Sequence, residues 1–419
     1  MKKLTIKNIG PIKEVTFDIK KVNVFMGRQS SGKSTIAKIL SFCSWVEKDI
    51  SFHQSFQKYE NKPSEFIKNI EIFHKMKGYF NEKSEICYVG DAVKISYINS
   101  TIEFEWLNTR YEYKRPKISY IPSERSVIIL PEMEKVELPN NYLKSFLYDW
   151  LNSRRNYTPE KKFHILDTNV EYYYSEEDRN NHIVNNEYDI MLSQSSSGLQ
   201  SVVSLLTMVD DLIVNLYNTD RETSSYELDS IKIEVTQSLI KKYIVEPFIS
   251  KYVENNDNYE QATMIKTLND SINNQSEDVI PLLEEYHKVR ENLFKYHRTN
   301  LIIEEPEQNL FPATQKELTY QLLEYLNKSE YDHTMAITTH SPYILYAINN
   351  CMLTYLVKDK NEDSKLKNSM ISPEDINIFE IEEGKNRSIQ KENGLIGKNY
   401  FDQQMKEVMD DFYQSLNYL

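Results

Sequence analysis

The sequence predicts an α/β chain: a mixed sheet with an antiparallel β-subdomain and mainly helical insertions. Three observations carry this reading. Apolar residues 22–26 run into a glycine-bounded loop and then into an apolar helix through Ile36, Ile39 and Leu40. Two further apolar runs, 301–303 and 335–339, read as buried strands, the first leading into a helix, the alternation that builds parallel sheets. Short alternating segments at 2–26 and 86–121, separated by turn residues, read as antiparallel strands.

Taken in order, residues 2–26 predict three short strands, with Gly10-Pro11 turning the first hairpin. Residues 45–85 read as helical and polar, 86–121 as strands, and 130–160 as a mixed insertion. FHILD and VEYYY predict strands, the second closed by the EEDRNN turn. Leu199, Val202, Leu206, Val209 and Ile213 share one helical face over 195–217. Residues 218–299 read as mainly helical, interrupted by Asn/Asp-rich stretches at 255–258 and 273–278. Pro312 suits the first turn of a helix whose apolar face carries Leu318, Leu322 and Leu326. MAITT and MLTYLV predict two more strands, and Met405, Val408, Phe412 and Leu416 predict a final helix.

The 419 residues include only 9 glycines, against about 29 at average usage. That excludes collagen-like and linker chains and makes each glycine position informative. The 50 basic and 63 acidic side chains leave a net charge of −13. A nonspecific nucleic-acid binder is ordinarily basic, so DNA contact is unsupported by charge. Arg154, Arg155, Lys161 and Lys162, near Trp150, read as a solvated face. Cys43, Cys87 and Cys351 have no metal-ligand spacing and suit a reducing, cytoplasmic setting. No membrane span or signal peptide is expected.

Gly27, Arg28, Gln29, Ser30, Ser31, Gly32, Lys33 and Ser34 fit G-x-x-x-x-G-K-[ST] at every fixed position, and Thr35 continues into the helix. In such a loop successive backbone N–H groups form an anion nest. Lys33 adds a point charge near the β- and γ-phosphates of a nucleotide, and Ser34 offers a hydroxyl to Mg²⁺. The helix N-terminus faces the same phosphates.

Leu301, Ile302 and Ile303 lead to paired carboxylates, Glu304 and Glu305, before Pro306. Strand alternation sends them to opposite sides. Glu304 can hold Mg²⁺ through water, and Glu305 can orient the attacking water. Ser197 and Gly198 open the 199–217 helix, where a hydroxyl, a glycine N–H and the helix dipole together make an anion site. His340 ends the AITT strand, the position where α/β sheets build their sites. A neutral imidazole there can bond a γ-phosphate oxygen or the attacking water.

The order of these four segments resembles the ATP-binding-cassette (ABC) ATPases, in the branch of the SMC, RecF and OLD-like proteins. Residues 7–14, 120–125, 196–201, 303–312 and 339–345 are similar to motifs of the bacterial stand-alone AAA-family ATPases of phage-defence operons. The resemblance implies a P-loop NTPase of ABC-ATPase head type that binds ATP and Mg²⁺ and hydrolyses ATP. Lys33 and Ser34 resemble the Walker A residues, and Glu304 the Walker B carboxylate, where most cassettes carry Asp. Glu305 resembles the catalytic glutamate and His340 the switch histidine. Ser197 and Gly198 resemble the signature motif, which reaches ATP bound to another subunit. Asn309 and Leu310 fall at the D-loop of the subunit interface. Arg125 receives no role, and the Q-loop glutamine has no clear counterpart.

The implied organisation is a single head over 1–419. Its core covers 1–44, 86–125, 163–217 and 300–360; helical insertions cover 45–85, 126–162 and 218–299; a C-terminal extension covers 361–419. The implied partners are a second copy, in a head-to-head dimer or higher homo-oligomer, and an operon-encoded nuclease or toxin, with no membrane. The expected role is the sensor or regulatory subunit of an antiphage system. The alternatives are a RecF/SMC-like DNA-repair or chromosome-maintenance ATPase, and a nucleotide-gated scaffold with little turnover.

Overall fold

A computed structural model describes residues 2–218, 226–254, 261–416 and 418. The Asn/Asp-rich stretch 255–258 lies outside the described residues. In chain order the strands are β1 (Lys3–Ile9), β2 (Ile12–Asp18), β3 (Val22–Met26), β4 (Glu85–Val89), β5 (Val93–Ile98), β6 (Thr101–Trp106) and β7 (Pro116–Ile121). They continue with β8 (Phe163–His164), β9 (Glu171–Ser175), β10 (Asn180–Val184), β11 (Asp189–Met191), β12 (Arg298–Glu304), β13 (Thr334–Thr339), β14 (Ile376–Glu382) and β15 (Lys385–Ser388).

Eleven strands form one sheet in the order β6-β5-β4-β1-β2-β15-β14-β3-β13-β12-β7, and β8 to β11 form a separate antiparallel sheet. One half of the large sheet, β6 to β2, is antiparallel. In the other half β14, β3, β13, β12 and β7 run parallel. The mixed α/β architecture with an antiparallel part and helical insertions is therefore present.

Parallel strands buried on both faces should read as continuous apolar runs, and these do. Val22, Val24, Met26, Leu301, Ile303, Met335 and Ile337 join one core, packed under the helices Ser197–Asp210, Pro312–Lys328 and Pro342–Leu356. The alternate residues Phe25, Ile302 and Ala336 join the other, under the helix Lys33–His53. The helix Ser197–Asn218 is long and apolar enough to cross a membrane, yet Val203, Leu205 and Met208 are wholly buried in the first core.

Three expectations are corrected. MLTYLV is not a strand: the chain stays helical over Pro342–Leu356. Ser341 caps this helix by accepting from the N–H groups of Tyr343 and Ile344, and Ile344, Ile348 and Cys351 are buried at helical spacing. The neighbour of β3 is instead β14, from the C-terminal extension, with Ile376 opposite Val22 and Ile378 opposite Val24. The extension is thus part of the sheet rather than an appendage. The basic cluster is a solvated face at Arg155, Lys161 and Lys162 but not at Arg154. Arg154 is buried, pairs with Glu134 and lies 4.1 Å over the ring of Tyr174.

These placements separate two truncations. A chain ended at residue 370 loses β14 and β15 from the middle of the sheet and is expected to show no cooperative thermal transition by circular dichroism. A chain ended at residue 399 loses only the helix Tyr400–Leu416, which has no buried side chain, and its Tm is expected to move by no more than a few degrees.

Candidate functional site

The parallel order β3-β13-β12-β7 brings four loops to one sheet edge. The phosphate loop leaves β3, His340 leaves β13, the paired carboxylates end β12, and Arg125 follows β7. The register sets them level: Met26 lies opposite Thr339, Thr338 opposite Glu304, and Ile303 opposite Ile121. Chemistry from chain segments far apart in sequence is thereby gathered at the carboxyl ends of adjacent strands, where α/β sheets hold ligands.

The phosphate loop is shaped by its two glycines. Gly27 and Gly32 have φ of 146° and 106°, backbone that side chains rarely adopt. A Cβ on Gly27 would lie 2.5 Å from the Ile381 carbonyl oxygen, and one on Gly32 2.3 Å from Ile12. The loop is thus wedged between β14 and the β1–β2 turn. Arg28, Gln29 and Ser30 form its exposed crest, with Arg28 lying 4.9 Å over the Tyr400 ring. The Ser31 hydroxyl has no hydrogen-bond partner, and Thr35 is buried in the first helical turn.

Lys33 is 4% exposed and folds back over the loop, donating to the carbonyls of Gly27 (2.9 Å) and Arg28 (2.8 Å). Burial lowers its ammonium to about 8, against the opposing pull of Glu305, Glu307 and Glu304. A buried cation facing three carboxyl groups, its protons spent on loop carbonyls, is poised to exchange those carbonyls for anionic oxygens.

Glu304 continues the alternation of β12 and points to the same face as Ile302, toward the helix that opens at Lys33. Burial raises its carboxyl, against the Ser34 and Tyr120 hydroxyls and the Lys38 ammonium. It is 5% exposed, and its Oε1 has no hydrogen-bond partner. A buried, unpartnered oxygen beside the Ser34 hydroxyl fits a hydrated divalent cation. Mg²⁺ usually keeps several waters and takes one or two protein oxygens plus phosphates.

Glu305 leaves the strand at φ 44°, a left-handed backbone that costs a non-glycine residue on the order of 1–2 kcal/mol. The turn aims its half-buried carboxylate at His340, whose Nε2 lies 3.2 Å away. The hydrogen bond with His340, opposed by burial, holds the Glu305 carboxyl below its ordinary value.

Sequence reasoning assigned no role to Arg125 and overlooked Glu307. The Arg125 guanidinium is completely buried and donates to the backbone carbonyls of Glu304 (2.9 Å), Glu305 (2.8 Å), Pro306 (3.2 Å) and Pro122 (3.3 Å). It holds the carboxylate loop onto the end of β7. Burial brings this guanidinium down to about 10, opposed by Glu307, Glu305 and Glu304. Glu307 ties the same loop to β13, accepting from the Thr339 hydroxyl and the His340 N–H. The third carboxylate of EEPE was the visible signal for Glu307; Arg125 fell within the 120–125 motif, but its main-chain partners gave it no readable role.

Ser197 and Gly198 do not join this group. A Cβ on Gly198 would lie 2.8 Å from the Asn309 carbonyl oxygen, so the helix start packs on the loop after the carboxylates. Asn309 itself has φ 61°. Ser196 caps the helix by accepting from Leu199 N–H, and Gln200 donates to the carbonyls of Ser193 and Ser195. Ser197 is exposed, and no hydrogen bond from its hydroxyl is found among the described residues. Asn309 and Leu310 lie against the adjoining Gly198, and the next residue, Phe311, is 76% exposed.

No family model matches the chain, and no curated protein is similar to it. Solved structures are. The SMC head domain from Thermotoga maritima matches at TM-score 0.33 and 11% identity, covering 82% of this chain and 90% of that one. The recombination mediator RecF of the RecFOR pathway matches at TM-score 0.31 and 11% identity, covering 92% and 97%. The ATP-binding cassette MJ0796, a dimer bound to ADP and Pi, matches at TM-score 0.25 and 11% identity, covering 92% and 97%. None of these values assigns an activity to the chain.

Replacing Arg125 by Lys leaves backbone carbonyls without donors in a buried loop. The expected cost is about 2–4 kcal/mol in urea unfolding. A change below about 0.5 kcal/mol would contradict the clamp.

Proposed function

We propose that the chain is an ATPase that binds Mg²⁺ and ATP at the β3 loop and closes head-to-head on a second copy. The observation that supports it is a division of parts. Lys33, Glu304, Glu305 and His340 converge at one sheet edge, whereas Ser197 stands exposed beside Asn309. A second copy facing the first would lay its own Ser197 and Gly198 on the γ-phosphate.

In this reading the N–H groups of the phosphate loop cradle the phosphates, and Lys33 turns from the Gly27 and Arg28 carbonyls to the β- and γ-phosphate oxygens. Ser34 and Glu304 hold the magnesium, which supplies charge neutralisation. Glu305 orients the attacking water and accepts its proton, and His340 fixes the Glu305 carboxylate. Arg125 and Glu307 keep both groups in register. Phosphoryl transfer needs mostly positioning and charge stabilisation, and these parts provide both. The water oxygen bonds to the γ-phosphorus as the bond to the bridging oxygen breaks, giving ADP and phosphate.

At the biological level the reading is the sensor or regulatory subunit of an antiphage system, paired with a separate nuclease or toxin. It rests on the motif resemblance alone. Co-purification from the native host of such a partner supports it; recovery of the chain with repair proteins and DNA alone contradicts it.

Glu305→Gln removes the base while keeping the shape. Turnover is expected to fall by about 100-fold or more, and light scattering with ATP is expected to show a trapped dimer. A variant that stays monomeric with saturating ATP contradicts the head-to-head reading.

A further inference from the structure

Behind Tyr120, away from the phosphate loop, the structure holds a cavity of about 590 Å³ between the helices Lys33–His53, Pro63–Phe73 and Tyr142–Ser153. That is within the roughly 300–1,000 Å³ of small-molecule sites. The catalytic reading makes no use of it.

Two buried polar groups line it, and one of them, His74, has no hydrogen-bond partner among the described residues. His74 is 1% exposed, and neither ring nitrogen has a hydrogen-bond partner. The Tyr120 hydroxyl is likewise buried, and its neighbour is the Glu304 carboxyl. A buried polar group without a partner is costly and calls for an explanation. Burial, with Lys38 adjacent, brings His74 down to about 3, so the ring is neutral and offers one donor and one acceptor. The rings of His74, Tyr120 and Tyr142 lie together, with centroids 5.0, 5.3 and 6.2 Å apart in pairs.

The wall is also cationic, against the chain's net charge of −13. Lys48 and Lys144 line the cavity; neither makes an ion pair among the described residues, and Lys48, its ammonium lowered by burial, lies 5.3 Å over the Tyr296 ring. Lys38 and Lys75 lie 5.7 and 5.0 Å over the Tyr142 ring. The other charged groups on the wall are matched: Lys58 with Asp49, Lys117 with Asp149, Glu65 with Lys62. Trp45, 38% exposed, adds an aromatic face at the rim.

Ammonium groups without carboxylate partners, aromatic rings and a buried polar edge are the recognition chemistry of a nucleotide: phosphate, base plane and base edge. We propose that this cavity is a second ligand site, for a mononucleotide, with the phosphate on Lys48 and Lys144 and the base among Trp45, Tyr142, His74 and Tyr120. The Tyr120 hydroxyl also lies against the Glu304 carboxyl. A ligand that takes this hydroxyl alters the setting of Glu304, so the site would regulate turnover; this last clause rests on the ATPase reading.

The test is calorimetric titration of the full chain carrying Lys33→Ala, which disables the phosphate loop. AMP, GMP, CMP, UMP, inorganic phosphate and a 5′-phosphorylated oligonucleotide are the probes. At least one mononucleotide is expected to bind one per chain. In the same background His74→Leu and Lys48→Gln are each expected to weaken it by about tenfold or more. His74→Leu is also expected to raise Tm, since it replaces unpaired buried nitrogens by carbon, so its binding loss cannot be misfolding. In the chain with Lys33 intact, that mononucleotide should shift ATP turnover and should lose this effect in His74→Leu. The proposal is overturned if no mononucleotide binds, if neither substitution weakens binding, or if phosphate alone or the oligonucleotide binds as well as every mononucleotide. Because binding is read with the phosphate loop disabled, failure of the ATPase reading leaves this result intact.

Discussion

The buried guanidinium of Arg125 is the constraint on which the candidate site depends. Its donation to four carbonyls fixes the loop after β12 against the end of β7. Without it the left-handed turn at Glu305 has little to hold it, and that turn alone points the carboxylate at His340. Glu307 provides the second strap, to β13. Two fastenings on either side of β12 turn a strained loop into a fixed one, the preorganisation that phosphoryl transfer requires.

The charges follow from the same packing. Lys33 and Arg125 are buried cations, and Glu304, Glu305 and Glu307 surround them. Burial works against every one of these charges, and around Lys33 and Arg125 the carboxylates oppose it. Only Glu305, half-buried and bonded to His340, is held clearly on the ionised side. It is the carboxylate that the proposed mechanism uses as base, while the more deeply buried Glu304 and Glu307 are pushed the other way.

Much of this was legible in the sequence, for physical reasons. The phosphate loop is contiguous, so its glycines, lysine and serine announce themselves. The carboxylate pair ends a run of apolar residues whose alternation predicts the side Glu304 takes. What was not legible is long-range. The apolar run MLTYLV fits a strand or a helix equally at that length, and the cap at Ser341 with the face from Ile344 to Cys351 decides for helix. The place of β14 beside β3 depends on pairing across most of the chain, which no local pattern encodes. Arg125 bonds main-chain oxygens, which leave no mark in a sequence. Gly198, read as a phosphate approach, also has a neighbour in its own chain, the Asn309 carbonyl. Ser197, exposed and unbonded, is therefore the cleaner probe of the second copy.

The central claim is that each ATP site is completed by the other chain. Two inactive variants, Lys33→Ala and Ser197→Arg, mixed in equal amounts, decide it by phosphate release. One intact site per mixed dimer is predicted, so turnover should reappear at a substantial fraction of the unaltered rate although neither variant turns over alone. A mixture as inactive as its components would contradict the claim.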